Sequence, residues 1–242
     1  MAAPRPKWLP SAGPGNLQVP PESWGMMLRQ WLSFVAACMI CTEKWKELMS
    51  STERKEAGYV NLYQLCDHFV KPWTANTGNS VALLMNNKRP LRAEIMISHA
   101  WGESISETMM ALLGYASAHG LSLDTVIWFC TFAQYQPGDM PGDCGPGVAA
   151  QLKLNPFERV IMSKPTYGML VVHTSQAELY GRLWCVFEIN EAQSRNVNAT
   201  AGASIPYMYE VVFPWQAKNM QVDTQLAKCW SPDDEKLISK KV

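Results

Sequence analysis

Trp184-Cys185-Val186-Phe187-Glu188 sets a carboxylate one helical turn beyond an indole, in a segment that follows the apolar run Met169-Leu-Val-Val-His173. Ser175-Gln-Ala-Glu178 has the form of a capping box, which predicts a helix over 176–195. In such a helix Ala177, Tyr180, Trp184 and Glu188 step by three, four and four residues and share one face. A plain surface helix has no use for a carboxylate beside two aromatic rings. A site that holds a partly desolvated acid does.

The elements that would position this acid alternate between strand and helix from residue 93 onward. Glu94-Ile-Met-Ile-Ser98 reads as a buried strand, and Ser104-Ile-Ser-Glu107 as a second capping box, for a helix ending near His119-Gly120. Asp124–Cys130 is the next strand, 137–147 a loop rich in proline and glycine, and 148–154 a short helix. Strands at 168–173 and at Tyr207–Phe213 complete the set. This alternation predicts an α/β fold with a central parallel sheet covered on both faces. Ligands of such sheets bind outside the carboxyl ends of the strands. Those ends here read Ser98-His99-Ala-Trp101-Gly-Glu103, then Cys130-Thr-Phe-Ala-Gln134-Tyr-Gln136, then His173-Thr-Ser175.

Residues 1–21 read as an extended arm, and 22–90 as a helical N-terminal extension to the domain at 91–242. Within the extension a helix is expected from about Ser23 to Met49. Its apolar seam is Trp24, Leu28, Trp31, Val35 and Cys38. A second is expected over 59–71, ending before Pro72. Residues 78–90 fit strand or helix. The last residues begin a helix that stops abruptly, as in a fragment of a longer chain.

Lysine plus arginine and aspartate plus glutamate number 21 each in 242 residues, so no basic excess drives nucleic-acid binding. The longest apolar run, Trp31–Cys41, is too short to span a bilayer. Seven cysteines without a regular framework point to a reducing, cytoplasmic setting. Cys38-Met-Ile-Cys41 lies late in a helix, and Cys66 with His68 is a poor second pair for zinc, so no metal site is expected. The ordinary alternatives are also plain. Glu188 would pair with Arg182 or Arg195, Trp184 and Cys185 would pack in the core, and His99 would cap a helix.

Ile97-Ser-His-Ala-Trp101 after one strand and Arg182-Leu-Trp-Cys-Val-Phe-Glu188 after a later one resemble the Toll/interleukin-1 receptor (TIR) superfamily, especially its divergent plant and protist members. The resemblance covers roughly residues 93–215 and implies a flavodoxin-like three-layer sandwich. The chain departs from the pattern at Ala100, where an arginine is usual. It departs again at Cys130, where an acid is usual, and at a Pro-Gln pair kept only as Gln136. Catalytic members cleave NAD at the nicotinamide–ribose bond, so the resemblance implies NAD as a substrate and no resident cofactor. Glu188 would stabilise the oxocarbenium-like ribose. Tyr180 and Trp184 would pack beside the ligand, Trp101 would stack on a ring, and Gln136 would line the site. Ser98 and His99 would meet phosphates. The other readings are a non-catalytic signalling module that assembles with its own copies, and a nucleoside transferase or glycosidase.

Overall fold

Ile95–Ser98, Val126–Phe129 and Met169–His173 are almost wholly buried and lack polar alternation, as strands covered on both faces must be. The computed structural model describes residues 3–214, 227–229 and 231–238. Its elements in chain order are β1 (Met26–Met27), α1 (Leu28–Ile40), α2 (Thr42–Ser50), α3 (Leu62–Leu65), α4 (Lys71–Thr74), α5 (Val81–Met85), β2 (Ile95–Ser98), α6 (Ile105–Ala118), β3 (Val126–Phe129) and α7 (Cys130–Ala133). There follow α8 (Val148–Leu152), α9 (Pro156–Met162), β4 (Met169–His173), α10 (Leu183–Ser194), β5 (Ala199–Ala203), α11 (Ile205–Tyr207) and α12 (Pro232–Ile238).

The sheet order is β1-β3-β2-β4-β5. β1 runs antiparallel to β3, and the remaining pairs are parallel, so the sheet is mixed but mostly parallel. The chain places β3 on one side of β2, then β4 and β5 on the other. A topological switch point therefore falls at the carboxyl ends of β2 and β4. Alternate strand residues feed two cores. Ile97, Phe129 and Leu170 face one with Trp31, Phe34 and Leu112, while Met96, Trp128 and Val171 face the other with Phe157, Val160 and Cys185. Helices thus cover both faces.

The N-terminal residues share these cores. Trp31 stacks on Phe129 at 5.8 Å and meets Phe132 edge-on at 6.2 Å. Asn16, fully buried, donates to the Ala133 carbonyl and accepts from the Ser80 amide.

Several expected elements form differently. The helix expected over 23–49 is preceded by edge strand β1 and broken at Cys41 (φ −73°, ψ 60°). Helix α3 continues past Pro72 because a π-helical turn, Cys66–Val70, intervenes and leaves the proline in the first turn of α4. Residues 81–85 are helical, with the Ser80 side chain accepting from the Leu83 amide. Helix α9 was not expected from the sequence, although Pro156 at its start is a usual opening residue.

The helix expected over 176–195 begins only at Leu183. Its capping serine is used elsewhere: the Ser175 amide and hydroxyl both donate to Glu107, each at 2.7 Å. Ala177 and Tyr180 therefore precede the helix and do not share the Glu188 face. The strand expected at 207–213 is helical, over Ile205–Tyr207 and Met208–Val212, and the strand is Ala199–Ala203 instead. Ser204 caps that helix by accepting from the Tyr207 amide, and Pro206 stands in its first turn. This local start signal outweighs the β-propensity of the residues after it.

Candidate active site

A cavity of about 230 Å³ opens outside the carboxyl ends of β2 and β3. The end of β2 supplies His99 and Trp101, and the turn from β3 through α7 supplies Cys130, Gln134 and Gln136. The start of α10 supplies Arg182, Trp184, Cys185 and Glu188. Tyr63, Phe157 and Asp234 close the remaining sides. Trp184 is held in place by Phe157, at 4.7 Å between ring centroids, and its indole N–H donates to Asp234 at 3.4 Å.

Glu188 is 5% exposed, and its Oε2 has no hydrogen-bond partner. Burial pushes its carboxyl up to about 8, against the opposing pull of the nearby Ser98 hydroxyl and the Arg182 charge. Ser98 exerts that pull without reaching regular hydrogen-bonding geometry. The ordinary ion pairs do not form. Arg195 is taken by Glu158 at 2.9 Å and Glu191 at 2.8 Å. Arg182 donates to the Tyr63 hydroxyl at 2.7 Å, and no carboxylate among the described residues makes a salt bridge with it. Glu188 is thus a neutral acid at pH 7, with its second oxygen uncommitted.

His99 is equally buried and packs on Phe129 at 4.2 Å. Burial drives its imidazolium form down to about 3, so the ring is neutral. Its Nε2 lies 3.1 Å from Cys130 Sγ, and its Nδ1 faces Glu103 at 3.6 Å. The Cys130 thiol is pushed up to about 12 by burial and then by the Glu188 charge, so it stays a thiol against the ring nitrogen. Burial also raises the Glu103 carboxyl well above its ordinary value, while the Thr108 hydroxyl (3.0 Å) and the Ala100 amide (3.3 Å) oppose this by donating to it. His99 and Cys130 thus line the pocket, with Glu103 behind His99.

Of the residues singled out in the sequence, Glu188, His99, Trp101, Gln136 and Trp184 meet at this cavity. Gln136 is buried and donates to the Cys130 carbonyl at 3.4 Å. Ser98 is sealed behind Glu188 and is not part of the wall. Tyr180 lies outside the lining, and its hydroxyl meets His173 Nε2 at 2.9 Å. Sequence reasoning missed Gln134 and Arg182 as wall residues and Cys130 as the partner of His99. Gln134 and Cys130 stood in the strand-end run, but nothing in their spacing set them apart. Arg182 stands in the helix motif, where its charge suggests an ion pair with Glu188 and not a place in the wall.

Comparison with known proteins gives no matching family model, no matching curated protein and no matching solved structure. Among the described residues no helix is long and apolar enough to cross a membrane, and no group of three histidine, cysteine, aspartate or glutamate side chains is placed to hold a metal ion.

Proposed function

We propose that this chain cleaves an N-glycosidic bond in its pocket, with NAD as substrate and the nicotinamide–ribose bond as the one broken. The observation that carries the reading is the Glu188 carboxyl, buried in the wall of an aromatic-lined cavity, with no ion pair among the described residues and its Oε2 without a hydrogen-bond partner. The order β3-β2-β4-β5 of the parallel strands is also the order with which a flavodoxin-like sheet begins, as TIR-like domains require. The cavity is smaller than the roughly 300–1,000 Å³ of sites that enclose whole drug-sized ligands. It suits the reacting end of a dinucleotide, with the remainder outside.

The chemistry follows from charge. The nicotinamide ring of NAD is a cation, and a cation beside Glu188 favours loss of its proton. The carboxylate then faces the ribose as positive charge develops there, while nicotinamide leaves neutral and needs no acid. Trp101 and Trp184 supply flat apolar walls for the ring. Arg182, at the rim, is the group we assign to the phosphates, since Ser98 is sealed and His99 is uncharged.

The test is release of free nicotinamide from NAD by the full chain at high protein concentration. Glu188→Ala is expected to lose at least ~10²-fold in rate with its circular dichroism unchanged. The rate should rise with pH through about 8, the value of the free carboxyl.

One observation favours a second reading. Because Glu188 keeps its proton at neutral pH, it is also suited to protonate the leaving base of an uncharged nucleoside. In that case the rate falls above about pH 8, and nucleosides rather than NAD are consumed. No turnover of either substrate, together with oligomers that grow with concentration, would point to a non-catalytic assembly module.

A further inference from the structure

Gln134 has no counterpart in the motifs that drew attention to this pocket. It follows α7 in the turn that leaves the end of β3, and it is 5% exposed. Its Nε2 is buried without a partner, and no hydrogen bond reaches its Oε1 from the described residues. Its neighbours show the usual behaviour. Gln136 donates to a backbone carbonyl at 3.4 Å, and Gln151 both accepts from the Tyr135 amide at 2.8 Å and donates to the Tyr135 carbonyl at 2.8 Å. A buried amide nitrogen without a partner is costly, because its desolvation is uncompensated. In this wall it stands with Glu188, whose Oε2 is unpaired as well.

A carboxamide offers one acceptor and one donor side by side, and a neutral carboxyl offers the same pair. Each is complementary to a planar group that carries a carbonyl next to an N–H. Neither assignment depends on which end of the Gln134 amide is nitrogen, because exchanging the two leaves one donor and one acceptor. The surrounding surface is flat and apolar, from Trp101, Trp184 and Phe157.

We propose that the pocket recognises a planar ring bearing an amide edge, and that Gln134, which stands in the same wall as Glu188, reads that edge. The ligand class is a ring carboxamide or the lactam edge of a nucleobase. Such a ring slides between the aromatic walls and pairs with the Gln134 carboxamide, whose Nε2 the fold leaves open. A ring of the same shape without the N–H leaves an acceptor stranded, which is how buried polar sites discriminate. The proposal deepens the proposed function and rests on its choice of pocket, but not on cleavage.

Binding is read without turnover, by tryptophan fluorescence and calorimetry on the full chain. The probes are nicotinamide, hypoxanthine and 3-acetylpyridine, the last having the carbonyl but no N–H. At least one amide ring is expected to bind, and 3-acetylpyridine about tenfold or more weaker. Nicotinamide binding alone identifies a carboxamide site, and hypoxanthine binding alone a nucleobase site. Gln134→Leu should weaken the amide ring by about 10- to 100-fold while leaving 3-acetylpyridine nearly unchanged. This variant removes no side-chain hydrogen bond found among the described residues, so its melting temperature should be equal or higher. The ligand series on the unaltered chain carries the same test if the variant fails to fold.

Equal binding of all three rings, no binding of either amide ring at millimolar concentration, or unchanged affinity in Gln134→Leu overturns the proposal. Amide-ring binding without nicotinamide release from NAD leaves recognition standing and removes cleavage. Release from NAD with an unchanged KM in Gln134→Leu removes recognition alone.

Discussion

Replacing Glu188 by glutamine should stabilise the protein at neutral pH, and the gain should depend on pH in a defined way. The native carboxyl is pushed up to about 8 by burial, from an ordinary value of 4.5. Between those two values the folded chain holds a proton that the unfolded chain has released. The native state binds more protons there, so stability falls as pH rises. Below pH 4.5 both states are protonated and the penalty vanishes; above about 8 both are ionised and it stays constant. Within the window the folding equilibrium loses about tenfold per pH unit, or roughly 3 kcal/mol in all by pH 7. Glutamine keeps the size and cannot ionise, so it escapes the penalty. Urea unfolding of both proteins at pH 4.5, 6, 7 and 8 reads the difference, with matching m-values as a check that the unfolded states are alike. The two midpoints should coincide near pH 4.5 and separate steadily toward pH 8, with the variant more stable. A gap that is flat with pH, or a variant less stable at pH 8, would falsify the claim that this carboxyl is buried without a partner. The same substitution should abolish turnover, since a group kept at a cost in stability is kept for its chemistry.

Two further outcomes test the frame around the site. Gly168 precedes β4 at φ +73°, and an added Cβ would stand 2.2 Å from the Asn198 carbonyl oxygen. Gly168→Ala should therefore cost at least about 2 kcal/mol in denaturant unfolding, and a neutral result would show that the β4–β5 start is free to shift. Glu107 accepts from the Ser175 amide, the Ser175 hydroxyl and the buried Ser204 hydroxyl. Glu107→Ala strands all three donors and should cost roughly 3–5 kcal/mol. Hydrogen exchange should show residues 174–182 losing protection first, and uniform loss would mean that Glu107 does not organise that segment.

The strands β2, β3 and β4 were legible because a strand buried on both faces must be apolar throughout, and a run of that kind shows in a single sequence. The meeting of Glu188 with His99, Trp101, Gln136 and Trp184 was legible for a related reason. Parallel strands deliver the residues after them to one edge. Other features depended on partners far along the chain. Ser175 looked like a helix cap, yet Glu107, 68 residues away, takes both of its donors and delays α10 to Leu183. Residues 207–213 carried β-propensity, and Pro206 behind a capping Ser204 made them helical.

The sequence by itself determined which segments could be buried and which acid stood among aromatic residues, since periodicity and residue type are local properties. Only the tertiary structure decided the protonation and pairing of the site. Burial, and not neighbours in the chain, holds Glu188 protonated, His99 neutral and Cys130 a thiol. The same packing occupied Arg195 elsewhere and left Gln134 Nε2 unpaired. Desolvation depends on every atom packed around a group, and that sum exists only once the distant segments have come together.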